Sequence, residues 1–245
     1  MKKWSVLLVA VVMVAATMVP AAQAVEVEGD AYVGYFDKYL WRGFDLSGGT
    51  PVVQGGVDLS TKGFTLSYWT NIQTKDDVVL GSDVEGGNAT ETDMVLDYSF
   101  DINDMLSASV GTIWYALDGL DDTKELYLGL GLNTLLEPSL TIYYDYDQAD
   151  ENALFYTASV GHSLDLAEGL SLSLGALVSY NDESDYAVGD YSDWHNYELS
   201  VGVDYALNDS VSISPSYIYS SPISDEAKLA IDSESVAGVS VAYSF

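Results

Sequence analysis

Alternation of apolar and polar residues is the feature that most restricts how this 245-residue chain can fold. About twelve segments after Val25 show it, and in Leu126–Leu132 every second residue is leucine. A period of two indicates β-strands, whose successive side chains point to opposite faces. Each segment is close to the roughly 9–11 residues that a tilted strand needs to cross a bilayer.

A soluble sandwich would show the same alternation, so the connections between strands matter. Short connections alternate with longer polar ones, the longest at 38–50, 73–91, 181–193 and 221–233. Membrane barrels combine short periplasmic turns with longer outer loops in this way. The pattern predicts an all-β fold, a transmembrane antiparallel up-and-down barrel of about twelve strands. The strand near 25–37 should pair with the strand near 237–245.

Aromatic residues support a membrane barrel over a sandwich. They cluster near strand ends on the apolar face, as in Tyr98 with Phe100 and Tyr243 with Phe245. Such girdles mark the two membrane interfaces of outer-membrane barrels. Phe245 also ends the chain at the edge of an alternating strand, which resembles the signal that outer-membrane proteins present to their assembly machinery.

The N-terminus has the layout of a secretory signal peptide. Basic Lys2 and Lys3 precede an apolar stretch, and small residues Ala22 and Ala24 suit cleavage before Val25. An uncleaved anchor is the alternative, although the apolar run is short for a membrane span. We therefore expect a signal peptide at 1–24, a barrel at 25–245 and export to the Gram-negative outer membrane.

Composition excludes several classes of protein. The chain holds 38 acidic and 8 basic residues, and two of the basic ones lie in the expected signal peptide. Nucleic-acid binding requires a basic surface and is not expected. Cysteine is absent, which excludes disulfides and thiolate metal sites. With 48% hydrophobic residues the chain should fold despite its charge.

One stretch resembles a known family. Tyr39-Leu40-Trp41-Arg42-Gly43-Phe44 is followed by Pro51-Val52-Val53-Gln54-Gly55-Gly56-Val57-Asp58. The sequence is similar here to the TorF family of porins, which carries a Tyr-x-aromatic-Arg-Gly run and then Pro-x-x-Gln-Gly-Gly. The resemblance implies an outer-membrane barrel with a transport role, and it brings no established substrate or site residues.

Acidic residues dominate the face opposite the lipid side. Because carboxylates in lipid are costly, these residues should face the lumen. Lys124 is the one basic residue that we expect to point inward from a strand. The predicted pore-lining acids are Glu28, Asp30, Asp58, Asp93, Asp97, Asp145, Glu198 and Asp204.

Twelve strands give a lumen wider than that of filled eight-stranded barrels and narrower than that of sixteen-stranded porins. Inward glycine and serine leave room for water, and acids without basic partners favour cations. The alternative is a packed interior in which tyrosine and serine bind the carboxylates. Asp97, Asp145 and Glu198 are the acids that we expect nearest to a constriction.

Arg42 is the only arginine, and it begins the first outer loop. One interpretation folds its guanidinium inward onto a lumen acid or a substrate carboxylate. The other makes it a clamp that holds loop 38–50 through carbonyls, Asp37 or Asp45. We favour the clamp, and Arg42 remains the candidate for a loop or constriction residue.

The sequence gives little support for a catalytic site or a metal site. By strand parity, His162 and His195 both fall on the lipid-facing side, which disfavours catalysis in the lumen. Asp193 and His195 share a side near the outer rim, so an omptin-like surface protease remains open. The Gly129-x-Gly131 pair lies inside a strand, where its glycines should widen the lumen rather than bind a dinucleotide. Acidic outer loops could bind Ca²⁺ or Mg²⁺, but no run has EF-hand spacing, and solvated loops are the simpler reading.

The sequence thus predicts a non-enzymatic, porin-like channel for passive diffusion of small cationic or neutral solutes. No cofactor is expected. The expected partners are the lipid bilayer, lipopolysaccharide, small solutes and the assembly machinery, the last through Phe245. The alternative is a structural or adhesive barrel whose acidic surface loops bind divalent cations.

Overall fold

A computed structural model describes residues 26–79, 82–149 and 153–245. The expected signal peptide and its cleavage site lie outside these residues. Within them, twelve antiparallel strands form a closed barrel, as predicted. The barrel strands are β1 (Glu28–Phe36), β4 (Val52–Thr61), β5 (Phe64–Gln73), β8 (Ala89–Asn103), β9 (Leu106–Leu117), β10 (Thr123–Leu132), β11 (Ser139–Asp145), β12 (Leu154–Ala167), β13 (Leu170–Asp182), β14 (Ser192–Asn208), β15 (Val211–Pro222) and β16 (Glu234–Ser244).

The first and last strands close the barrel. β1 pairs antiparallel with β16 in a register that places Val33 opposite Val241, which confirms the predicted pairing of the two ends. β1 also pairs with β4, and Gly29 exchanges two backbone hydrogen bonds with Phe245. Closure leaves no exposed strand edge in the wall.

The outward face is apolar and exposed along the wall. Leu126, Leu128 and Leu130 are each about half exposed, as are aromatic residues such as Phe64 and Tyr98. A soluble protein rarely shows so large an apolar surface, whereas lipid covers it in a membrane barrel. The inward face is mostly small or polar, as the parity of the sequence predicts, and a few tyrosines such as Tyr32 and Tyr127 also point inward.

The two ends of the barrel differ. One end, here the turn end, carries both termini of the barrel and tight turns such as that at Lys62–Gly63. The other, here the loop end, carries the longer connections. Two small hairpins and a short helix lie in these connections: β2 (Leu40–Trp41) with β3 (Phe44–Asp45), β6 (Asp77–Val79) with β7 (Ser82–Val84), and α1 (Ala227–Ala230). Among the described residues, no helix is long and apolar enough to cross a membrane.

The expectation that His195 faces lipid is wrong. The register between β13 and β14 shifts between Val178 and Tyr180, so His195 and Asn196 together oppose Ser179. This bulge turns both side chains into the lumen, where both are buried. Parity counted along a regular strand cannot anticipate such a shift. His162 keeps its regular register opposite Leu174, on the outward face.

The expectation that Lys124 points into the lumen is also wrong. Lys124 shares its face with Leu126 and Leu128, and it lies opposite Trp114 on the outward side. Its ammonium group instead forms an exposed ion pair with Asp147 at the loop end, with an Nζ–Oδ2 distance of 2.5 Å. The long stem of a lysine near the membrane edge can place its charge in water.

Candidate functional site: the plug hairpin and its cage

The first long loop folds into the lumen. Its residues 38–50, here called the plug hairpin, contain β2 and β3 joined by Arg42 and Gly43. Both turn residues have positive φ, 46° and 83°, as a two-residue type I′ hairpin requires. Glycine accepts this conformation readily, but for Arg42 it costs about 1–2 kcal/mol. The contacts of Arg42 must therefore hold it in place.

The base of the plug hairpin is fixed to the wall and to itself. Asp45 accepts hydrogen bonds from the amide and the hydroxyl of Ser47, which is fully buried. Gln73 of β5 donates to the carbonyl of Ser47 at 3.1 Å. Lys38 binds Glu234 of β16 at 2.5 Å, and this hydrogen bond raises the pKa of Lys38 above its ordinary value. The hairpin is thus tied to β5 and β16, the two strands that flank β1 and β4 in the barrel.

Arg42 lies in an aromatic cage at the tip. Its two terminal nitrogens each donate to one oxygen of Glu125 at 2.8 Å. Its guanidinium carbon lies 4.5 Å from the ring centre of Trp41, 4.9 Å from Tyr143 and 4.4 Å from Phe155. The side chains of Arg42 and Glu125 are only 8% and 2% exposed. Bidentate binding with ring stacking is a strong arrangement for a buried guanidinium.

The partners expected for Arg42 as a clamp, namely carbonyls, Asp37 or Asp45, are wrong. Asp45 accepts hydrogen bonds from the amides of residues 47 and 49 in its own hairpin, and Asp37 accepts the amide of Ala237. The structure instead shows the other interpretation, an inward fork on a lumen acid. Glu125 was not predicted as that acid, although it alternates with the outward leucines of β10. Its inward orientation could have been deduced from this alternation.

His195 holds the plug hairpin from the other side. Its Nε2–H donates to the carbonyl oxygen of Arg42 at 2.6 Å, and the hydroxyl of Tyr191 donates to Nδ1. This tautomer follows because a carbonyl can only accept. Burial raises the pKa of Tyr191 to about 12, so its hydroxyl keeps its proton at neutral pH. The imidazole ring also stacks on Phe44 at 5.9 Å.

The plug hairpin lies in the loop-end half of the lumen. Inward side chains at its level are fully buried, including Asn71, Asn181 and Asn196. A pocket of about 330 Å³ lies beside it, between the hairpin and the outer loops. Glu91, Tyr115 and Glu125 line this pocket from the wall, with Trp41 and Phe44 from the hairpin.

The turn-end half of the lumen is lined differently. Many inward positions there carry small residues, and a Cβ added at Gly129 or Gly175 would meet only a serine within 3 Å. Tyr32 and Tyr127 instead cover the inward faces of Gly56 and Gly111. Five predicted pore-lining acids lie on this half, and none forms an ion pair within the described part of the chain. They are Glu28, Asp30, Asp58, Asp97 and Asp204. Three of these acids accept hydrogen bonds from hydroxyl groups, as the alternative of a packed interior predicts: Asp97 from those of Ser99 and Tyr127, Asp30 from that of Ser244, and Asp204 from that of Ser214.

The other three predicted acids also lie on the inward register. Asp93 neighbours Glu91, and its Oδ1 atom has no hydrogen-bond partner among the described residues. Glu198 accepts the amide of Asn196 at 3.0 Å. Asp145 is fully buried and accepts the hydroxyl of Thr123 and the amides of residues 147 and 148. Asp145 therefore caps its own loop.

Across residues 26–79, 82–149 and 153–245, no group of three or more His, Asp or Glu side chains is placed to hold a metal ion.

A closed barrel with an apolar jacket and a polar lumen is a transmembrane barrel with the porin fold. A family model described as "Bacterial protein of unknown function (Gcw_chp)" matches residues 21–228, so the chain belongs to this family. No curated protein matches the sequence.

Two solved structures share the fold at low sequence identity. The NanC porin is 13% identical with a TM-score of 0.57, and the match covers 88% of this chain and 98% of that one. The KdgM porin, solved in complex with disordered oligogalacturonate, is 14% identical with a TM-score of 0.54, covering 89% and 99%.

Proposed function

We propose that this protein is a plugged outer-membrane channel for passive diffusion of small cationic or neutral solutes. The observation that carries the proposal is the turn-end half of the lumen. It is lined largely by small residues, and its five carboxylates form no ion pair among the described residues. A filled structural barrel would pack side chains across the whole of this half.

The charge of this lumen favours cations. Arg42 and Lys38 reach inward from the plug hairpin, and each is already bound to an acid. The remaining carboxylates therefore set the potential. Low-dielectric walls strengthen their field wherever the passage is narrow.

The plug hairpin sets the condition for conduction. Since it lies in the loop-end half of the lumen, a solute passes only when the hairpin shifts or through the pocket beside it. The channel should therefore rest in a low-conductance state and open when contacts of the hairpin are weakened.

The comparisons support a channel but not the selectivity. The family model that matches is not that of the TorF family suggested by residues 39–58, whereas the two solved barrels are named as porins. One of them was captured with oligogalacturonate, a polyanion. We expect the acidic lumen here to repel such a ligand.

Location follows the same reasoning. We propose that residues 1–24 are cleaved on export and that Phe245 is read by the assembly machinery. The apolar jacket then faces the bilayer and lipopolysaccharide.

We expect no enzyme activity. Both ring nitrogens of His195 are occupied by Tyr191 and Arg42, and the carboxylate of Asp193 accepts the amide of Trp194. An Asp–His pair for an omptin-like protease is therefore not assembled. His162 lies on the outward face.

Liposome swelling tests the proposal. Vesicles that hold the folded barrel are diluted into isosmotic arabinose, lysine hydrochloride or sodium gluconate. We expect faster swelling with the neutral and cationic solutes than with gluconate, and faster swelling still with an Arg42→Ala variant. No swelling above empty vesicles for either protein would reject the channel and favour the structural or adhesive barrel.

A further inference from the structure

The guanidinium group of Arg42 is surrounded mainly by residues of the barrel wall. Four of the five groups around the guanidinium belong to barrel strands: Tyr115, Glu125, Tyr143 and Phe155. These four residues are here called the wall cage. Tyr115 does not touch Arg42 through a hydrogen bond; its hydroxyl donates to Glu125 at 2.9 Å and so orients the carboxylate. Only Trp41 comes from the plug hairpin itself.

The wall cage has an approach from the loop end. The pocket of about 330 Å³ reaches Tyr115 and Glu125, which are also members of the cage. Its volume suits a small organic molecule. Glu91 adds a second buried carboxylate to its lining, and Phe44 adds an aromatic wall. A cation with a short apolar body fits this combination of acid and ring surfaces.

We propose that the wall cage is a binding site for small solutes that carry a guanidinium or ammonium group, and that such a solute displaces Arg42 and releases the plug hairpin. If Arg42 left the wall cage and no other cation took its place, Glu125 would remain buried and charged without a partner. That cost opposes release of the plug hairpin. An incoming cation removes that obstacle because one cation replaces another. Neutral and anionic solutes cannot make this exchange.

Binding tests the site directly. Titration calorimetry on the detergent-folded barrel would use butylguanidine, with the neutral butylurea as its matched probe. We expect Arg42→Ala to bind butylguanidine about tenfold or more tightly than wild type, because a tethered competitor acts at roughly millimolar effective concentration. Butylurea should not bind either protein.

Two further variants keep this test specific. Glu125→Gln in the Arg42→Ala background should abolish butylguanidine binding. Lys124→Gln is the matched control, since it breaks an ion pair on the neighbouring residue outside the lumen, and it should leave binding unchanged. Heat-modifiability on gels verifies that each variant is folded. Equal affinity of wild type and Arg42→Ala, or binding that survives Glu125→Gln, would overturn the proposal.

Release of the plug hairpin rests on the proposed channel function, whereas binding to the wall cage does not. Conductance measurements distinguish the two. In planar bilayers, butylguanidine should raise the open fraction of wild type towards that of the Arg42→Ala channel, and it should leave the open fraction of the Arg42→Ala channel unchanged. Binding as predicted with no conductance in either protein would reject the channel and leave the binding site. Conductance in both proteins with no butylguanidine binding would reject the site and leave the channel.

Discussion

The Nε2 atom of His195 lies 2.6 Å from the carbonyl oxygen of Arg42, and this hydrogen bond joins strand β14 to the turn of the plug hairpin. His195 is fully buried, and its ring lies between Phe44 of the hairpin and Phe155 of the wall. The imidazole thus supports the tip of the plug hairpin opposite Glu125.

Loss of the imidazole should loosen the plug hairpin without unfolding the barrel. His195→Ala removes a buried hydrogen bond and leaves the carbonyl of Arg42 without its donor, at a cost of about 1–3 kcal/mol. We expect a larger open fraction in planar bilayers. His162→Ala on the outward face is the control and should behave as wild type. Equal behaviour of the two variants would contradict this role of His195.

The turn of the plug hairpin should be equally sensitive. A Cβ at Gly43 would lie 2.5 Å from the side chain of Ile231, and the φ of 83° is strained for any residue with a side chain. Gly43→Ala should therefore destabilise the docked hairpin by about 1–2 kcal/mol from the backbone alone and raise the open fraction.

Gly87 provides the matched control for this change. It has a similar φ of 87°, but it lies in an outer loop with open space around it. Gly87→Ala carries the same backbone strain away from the lumen, so its single-channel record should match that of wild type. A Gly43→Ala channel that also matches wild type would show that the turn does not hold the hairpin closed.

We expect Phe245 to be more important for assembly into the membrane than its exposed side chain suggests. Its backbone closes the barrel on Gly29, while its ring is exposed beside Tyr243 on the outward face. Phe245→Asp should remove most of the protein from the membrane, as measured by heat-modifiable protein in membrane fractions. Leu229→Asp, at an exposed apolar residue of the outer helix, should have little effect. Comparable membrane levels of the two variants would refute a recognition role for the last residue.

The barrel was predictable because its signal is repeated in each strand. Alternation along β10 or β13 fixes which side chains face lipid, and the short turns fix the order of pairing. The closure of β1 on β16 follows from the even number of strands. Because the pattern recurs in twelve strands, an error in the assignment of one strand does not change the predicted fold.

The plug hairpin was not predictable in the same way. Nothing in residues 38–50 states that Arg42 reaches Glu125, which is 83 positions away and on another strand. The bulge at His195 adds one residue to β14 and reverses local parity, and neither glycine nor proline marks it. Both features depend on tertiary contacts inside the lumen, and a strand pattern carries no information on them.

The reversal potential across a planar bilayer measures whether the acidic lumen selects cations. Under a KCl gradient, the wild-type channel should favour K⁺ over Cl⁻. The preference should weaken at high salt, because the Debye length falls from about 10 Å at 0.1 M to about 3 Å at 1 M.

Charge neutralisation inside the lumen extends the same measurement. Asp58→Asn, Asp97→Asn and Glu198→Gln together should lower the preference, since these half-exposed acids lie on three different strands. Asp145 is left intact because it caps its loop. The control neutralises three exposed acids outside the lumen, Asp190, Asp209 and Asp232, and should keep the wild-type reversal potential. We expect a cation-selective reversal potential that moves towards zero only in the lumen variant; an anion-selective channel, or equal shifts in both variants, would contradict cation selection by the lumen carboxylates.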